Sequence, residues 1–339
     1  NQAFLDFLAS KELSRFEKIE QVFFDIAVEP HLKEVYTPWF YVMPFVLEQN
    51  PNMINIILDF LEKNFNKILR EEYFEVLINI DTKLLDEEIR LRIFNLVFDY
   101  SVEHNQWIYP YANKLIYFYE EKEHYQKIID SINCDVETNN IKIRNVIDII
   151  DTLSKRGLLN RFQIEFWKDK FLEWLKLDVK KFKNLYRAII SSCATIMKND
   201  FDWIKSIYFI FEIGIDVQHE YSRACYKINQ NDNFSIDVYF KSDNQFKKNN
   251  IDRVSRLDDN VKYISKVNSL DGIKYILEKL TSSNSKEYLR YIFSNSYRSK
   301  FQDDLKQFIL NIRNNLNDEI IELLKTLLIE LIKLKIRHE

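Results

Sequence analysis

The sequence predicts an all-α protein, and three observations carry that prediction. Glycine is nearly absent, with Gly157, Gly214 and Gly272 the only three in 339 residues. Proline occurs five times, whereas average usage would give about 24 glycines and about 17 prolines. Apolar residues recur at three- and four-residue spacing along most of the chain, the period of a helix with one buried face. No two glycines lie within fifty residues of each other. Loops that cradle phosphates or dinucleotides need clustered glycines, so a P-loop NTPase, a G-x-G-x-x-G dinucleotide fold and a protein kinase are excluded.

Taken in order, Ser10 can cap a helix carrying Leu13, Phe16, Ile19, Phe23 and Ile26, ended by Glu29-Pro30. Thr37-Pro38 and Asn50-Pro51 each set a capping residue before a proline suited to the first helical position. The second opens a helix through Ile54, Ile57, Leu58, Leu61, Phe65 and Ile68. Helices are expected near 71–80, 86–104, 107–122 and 123–132, and from Asn139 or Asn140 to Gly157, which fits a C′ glycine. Others follow near 161–177, 179–198, 201–213 (stopped by Gly214) and 217–228. Short polar breaks make neighbouring helices antiparallel. The expected architecture is an elongated array of antiparallel helical hairpins, either an irregular HEAT-like superhelix or a large helical bundle.

Residues 229–260 interrupt this pattern with seven asparagines, and Phe234, Ile236, Val238 and Phe240 alternate with polar partners. Strict alternation suggests a short β-hairpin excursion near 234–241. It divides the chain into a helical body at 1–228, an Asn-rich excursion or linker at 229–260 and a C-terminal helical unit at 261–339. The last helix, 317–336, has an apolar face too wide for a plain surface helix. It suits burial between neighbours or self-association through a short coiled-coil seam.

Charge is segregated. Residues 1–140 hold 13 Lys and Arg against 25 Asp and Glu, a net of −12, and residues 141–339 hold 35 against 27, a net of +8. Such asymmetry points the basic half towards an anionic partner. Its candidate contacts are Lys168, Lys176, Lys180, Lys181, Lys183 and Arg187, with Lys247, Lys248, Arg253 and Arg256 further along. Phe162, Phe166, Trp167, Phe171, Trp174, Phe182 and Tyr186 interleave with the first group, as rings on which nucleobases stack or, for the first five by their helical spacing, as core. The acidic half has its own run in Glu71, Glu72, Glu75, Asp81, Asp86, Glu87 and Glu88. That is a solvated helix face or a surface attracting a basic protein. Trp39, Tyr41, Trp107, Tyr109 and Tyr111 lie beside prolines, as exposed anchors or as staples of those turns.

Reactive constellations are few. His31, His104, His124, His219 and His338 include no i,i+4 pair. His219-Glu220 begins like a zinc-protease motif, but Arg223 stands where the second histidine is required. Asp200-Phe201-Asp202 resembles a metal-binding D-x-D but sits where a helix starts, so capping explains it. Cys134, Cys193 and Cys225 form no framework, which suits a reducing cytoplasmic setting. No uncharged run reaches the roughly 18 residues that cross a bilayer, so no membrane partner is expected. The expected function is a non-enzymatic helical scaffold that recognises a macromolecular partner, first another protein, through an extended surface. Nucleic-acid binding by the basic half, 141–339, is the alternative. No cofactor, metal ligand or catalytic residue is assigned.

Overall fold

The computed structural model describes residues 2–15, 28–29, 34–35, 41–66, 71–104, 106, 108–208, 215–246, 262–282 and 299–336. These are mostly helical, as expected, joined by turns and short connections, and the strand structure among the described residues is a two-residue antiparallel pair, β1 (Val28–Glu29) with β2 (Glu34–Val35). The chain groups into two compact units, Asn1–Asn160 and Arg161–Glu339. The first holds 17 Lys and Arg against 27 Asp and Glu and the second 31 against 25, net charges of −10 and +6.

The first unit contains α1 (Gln2–Leu13), α2 (Met43–Gln49), α3 (Pro51–Lys63), α4 (Glu71–Ile78), α5 (Glu87–Glu103), α6 (Tyr109–Leu115), α7 (Glu121–Ser131) and α8 (Asn140–Lys155). Ser10 does not cap a helix start: it lies buried inside α1 and its hydroxyl donates to the Phe7 carbonyl at 2.7 Å. Residues 16–27, which carry the rest of the helix expected there, lie outside the described residues. Pro51 opens α3 at its first position. Ile54, Ile57, Leu58 and Leu61 are fully buried along one face, as their spacing requires. At the start of α5, the Asp86 carboxylate accepts the Ile89 N–H at 2.8 Å, and Glu87 and Glu88 complement the positive end of the helix.

Asn145, buried on α8, is the central polar tie of this unit. Its amide nitrogen donates to the Ser101 carbonyl at 3.1 Å and the Gln106 carbonyl at 2.6 Å, and its oxygen accepts the Ile108 N–H at 3.1 Å. One side chain thus joins the end of α5, the connection that follows and the start of α6. At the end of α8, Gly157 has φ +70°. Its N–H bonds to the Ser154 carbonyl at 2.9 Å and the Leu158 N–H to the Leu153 carbonyl at 3.0 Å, the paired bonds of a Schellman stop.

The second unit contains α9 (Arg161–Trp174), α10 (Lys183–Ile196), α11 (Phe201–Ser206), α12 (Ile215–Asn229), α13 (Asn233–Phe246), α14 (Leu270–Thr281), α15 (Ser299–Asn314) and α16 (Asp318–Ile336). The alternation at 234–241 is not a strand, since this stretch lies within α13. Asp232 starts that helix, with its carboxylate accepting the Phe234 N–H at 2.9 Å and its carbonyl the Ile236 N–H at 3.1 Å. Ile236 and Tyr239 then fall on one helical face and join a core with Tyr263, Ile264, Val267, Ile273, Ile276, Leu277, Leu280, Phe308, Ile312 and Ile320. A neighbouring hydrophobic surface selects the three-residue spacing over the two-residue one. Gly214 and residues 247–261 lie outside the described residues. Gly272 sits in the first turn of α14, where a Cβ would come within 2.6 Å of Val267 Cγ1. Among the described residues no helix is long and apolar enough to cross a membrane.

Two substitutions test these junctions. Asn145→Ala leaves three backbone groups without their partner and is expected to lower unfolding free energy by about 3 kcal/mol, read from urea denaturation. Gly157→Ala meets no steric neighbour but keeps a left-handed backbone, so the expected loss in the same assay is about 1 kcal/mol.

Candidate functional site

The basic residues singled out in the sequence divide into three groups. Lys168 on α9 is engaged within the fold, with Asp200 at 2.5 Å and Glu165 at 2.8 Å from its ammonium. Burial alone would lower its pKa, but those hydrogen bonds raise it, while the Lys168 bond in turn lowers that of Asp200. Asp200 also accepts the Trp203 N–H at 3.0 Å, so it caps α11. Lys176, Lys180 and Lys181 are exposed on the connection from α9 to α10, Lys183 is exposed at the first residue of α10, and Arg187 follows half-buried on that helix. Tyr186 fixes that connection from beneath by donating to the Leu175 carbonyl at 2.7 Å. Lys247, Lys248, Arg253 and Arg256 lie outside the described residues. The interleaved aromatics turn inward: Trp167, Phe171 and Trp174 are buried against one another, whereas Phe162 is 87% exposed.

Titratable groups with shifted pKa values are scattered over the described residues. His124 on α7 is buried and stacked on Phe94 with ring centroids 4.0 Å apart. Its Nδ1 accepts the Glu120 N–H at 2.9 Å, which closes the start of its own helix. Burial pushes its pKa down to about 4, aided by Lys127. Asp148 on α8 is pushed up to about 6 by burial, against the pull of Arg144. Burial raises the Cys225 thiol to about 12, the character of a packed, unreactive sulfur. Arg223 pairs with Glu220 at 3.6 Å.

The acidic unit holds a cleft of about 430 Å³ where α1, α2, α4 and α6 converge. Three helices each supply one carboxylate: Asp6 from α1, Glu48 from α2 and Glu75 from α4. Tyr41, Phe45 and Tyr111 supply aromatic walls, and Pro44 and Ile78 a buried apolar floor. Tyr41 is 61% exposed, whereas Tyr111 is 5% exposed. The helices are held in place by α1 docking on α2. Phe7 meets Phe45 edge to face at 6.1 Å, and the Gln49 amide donates to the Ser10 hydroxyl at 2.8 Å.

Among the described residues Lys114, on α6, is the one base lining the cleft, and its ammonium is held by the Asn79 side-chain oxygen. Asp6 accepts one bond from the Gln2 amide at 2.9 Å and Glu48 one from the Asp81 N–H at 3.0 Å. An ionised carboxylate has about four acceptor sites, so both keep capacity for an incoming donor. Among the described residues no group of three His, Cys, Asp or Glu is placed to hold a metal ion, and the three carboxylates are spread around the cleft accordingly. The sequence pointed to Glu75, through its acidic run, and to Tyr41 and Tyr111, through their prolines. Nothing in it pointed to Asp6, Phe45 or Glu48, which tertiary packing brings in from elsewhere.

No protein-family model matches the chain, and no characterised protein or solved structure matches it either. His124 offers a pH signature. Its folded pKa lies below the unfolded value of about 6.5, so its neutral form stabilises the fold above that pH and the contribution is lost as pH falls towards 4. Between pH 7 and pH 5 the His124 contribution to the loss is about 2 kcal/mol, opposite in sign to that of Asp148, and is read as the difference in urea-derived stability between the native chain and His124→Phe. His124→Phe keeps the stacking and should remove most of that pH dependence.

Proposed function

We propose that this chain is a non-enzymatic recognition protein that takes a cationic segment of a partner protein into the acidic, aromatic cleft. The observation that carries the reading is the convergence of three carboxylates from three helices around aromatic walls. A Lys or Arg side chain matches that surface. Its methylene stem packs on Phe45 and Tyr41, its head bonds to the carboxylates, and an aromatic face adds roughly 0.5–2 kcal/mol of cation–π attraction. The cleft volume of about 430 Å³ suits inserted side chains of a flexible segment. The net charge of −10 on this unit steers such a segment towards it.

In this reading the helices are consecutive antiparallel hairpins of an irregular HEAT-like array, and the site is made from helix faces. Three cysteines, two buried and one half-buried, with no disulfide among them, suit a reducing, cytoplasmic setting. A second reading is favoured by the exposed lysines between α9 and α10 and at the first residue of α10. Lys176, Lys180, Lys181 and Lys183 would hold a nucleic-acid backbone, with affinity that falls steeply as salt rises.

A fluorescent Lys/Arg-rich peptide titrated into the protein at low salt is expected to bind, and an acidic peptide of equal length is not. Glu48→Lys combined with Glu75→Lys should weaken binding by tenfold or more, about 1.4 kcal/mol or greater. An absence of peptide binding, or affinity unchanged in the double variant, overturns the cleft reading. A mobility shift with RNA or DNA that disappears in Lys180→Glu/Lys181→Glu/Lys183→Glu would favour the second.

A further inference from the structure

An apolar stripe is left on α16 after the core of the second unit is complete. Ile320, Leu323, Leu324, Leu327 and Leu331 pack on that core. At about 100° per residue they occupy one side of the helix, and Ile321, Leu328, Ile329 and Ile332 occupy the adjoining side. Leu328, Ile329 and Ile332 are 58%, 53% and 50% exposed. Two adjoining apolar faces on one helix are more than burial on one side requires.

Charge along this helix is ordered. Asp318, Glu319 and Glu322 stand at its start, whereas Lys325, Lys333 and Lys335 follow, with Glu330 the one acid among them. Eleven residues are close to three helical turns, so Glu322 and Lys333 share one flank of the stripe. Their present partners are near neighbours on the same helix: Glu322 with Lys325, and Lys333 with Glu330 at 2.9 Å. Exposed pairs of this kind contribute little to stability and can be exchanged cheaply.

We propose that a second copy of this chain covers the stripe, with α16 packed antiparallel on its counterpart across a two-fold axis beside Leu327 and Leu328. Charge complementarity chooses both the occupant and the direction. An antiparallel pairing about that axis places Glu322 opposite the partner's Lys333 and, by symmetry, Lys333 opposite the partner's Glu322. It also sets the acidic start of each helix against the lysine-bearing end of the other. A parallel pairing would set Asp318, Glu319 and Glu322 against their own copies. Leu328 and Ile329 meet their counterparts near the axis, Ile321 and Ile332 extend the seam on either side, and the Lys325 stem lies along it with its ammonium at the edge. The interface is isologous, the commonest form of association between identical chains.

Analytical ultracentrifugation of the full chain tests this over a range of micromolar concentrations at low salt. A monomer–dimer equilibrium is expected. Leu328→Glu and Ile332→Glu should each weaken it tenfold or more. Glu322→Lys alone and Lys333→Glu alone should each weaken it, because each sets like charges across the seam, and the double exchange should restore association to near the native level. Circular dichroism melts show that each variant is folded, which these exposed positions permit. A chain that stays monomeric, a dimer indifferent to Leu328 and Ile332, or a double exchange that fails to restore association each overturns the proposal. These readouts are independent of the cleft and of any peptide.

Discussion

A helix ends with stranded backbone carbonyls, and the interaction this fold depends on is the asparagine side chain that satisfies them. Glycine usually releases the chain at that point, and here it is almost missing. Asn50, Asn64, Asn79 and Asn315 each follow a helical stretch and donate to the carbonyl four residues back, at 2.7 to 3.1 Å. Asn145 and Asn311 do the same work across elements. Asn311 donates to the Ser265 and Val267 carbonyls at 2.9 and 2.8 Å, from a buried position on α15. With 31 asparagines in the chain, helix can follow helix with single-residue junctions such as Asn50, between α2 and α3.

The same device shapes where a ligand can bind. Few connections can bring bare backbone close to a ligand, so recognition falls to side chains on rigid helix faces. The cleft follows that rule: its carboxylates Asp6, Glu48 and Glu75, its aromatic walls and Lys114 come almost entirely from helices and their first or last residues. Asn50 ties the two levels together. Its amide donates to Ser14 at 2.9 Å as well as to Val46, so the residue that closes α2 also helps to hold α1 beside it. Asp6 reaches the cleft because α1 is held there.

Helical geometry also separates charge from aromaticity in the basic unit. On α9, Trp167, Phe171 and Trp174 lie three and four residues apart and face inward, while Glu165, Asp169 and Glu173 point outward. The exposed lysines cluster beyond the helix, on the connection to α10 and at its first residue, away from any ladder of exposed rings. A surface that binds an anion there would do so by charge, and stacking would contribute little.

The sequence by itself determined the helical class, the stops and starts at Gly157, Pro51 and Asp86, and the apolar faces of helices such as α3. These follow from local rules: periodicity, fixed φ and capping chemistry act within a few residues. It also located the segregation of charge and the unusual width of the apolar face on α16. Only tertiary structure decided that 234–241 is helix, because Ile236 and Tyr239 needed a core to face before three-residue spacing could outweigh alternation. Only tertiary structure turned Lys168 inward to Asp200, and only it gathered Asp6, Glu48 and Glu75 around one cleft. Those residues are separated by tens of positions, and no local rule relates side chains that meet solely because their helices pack.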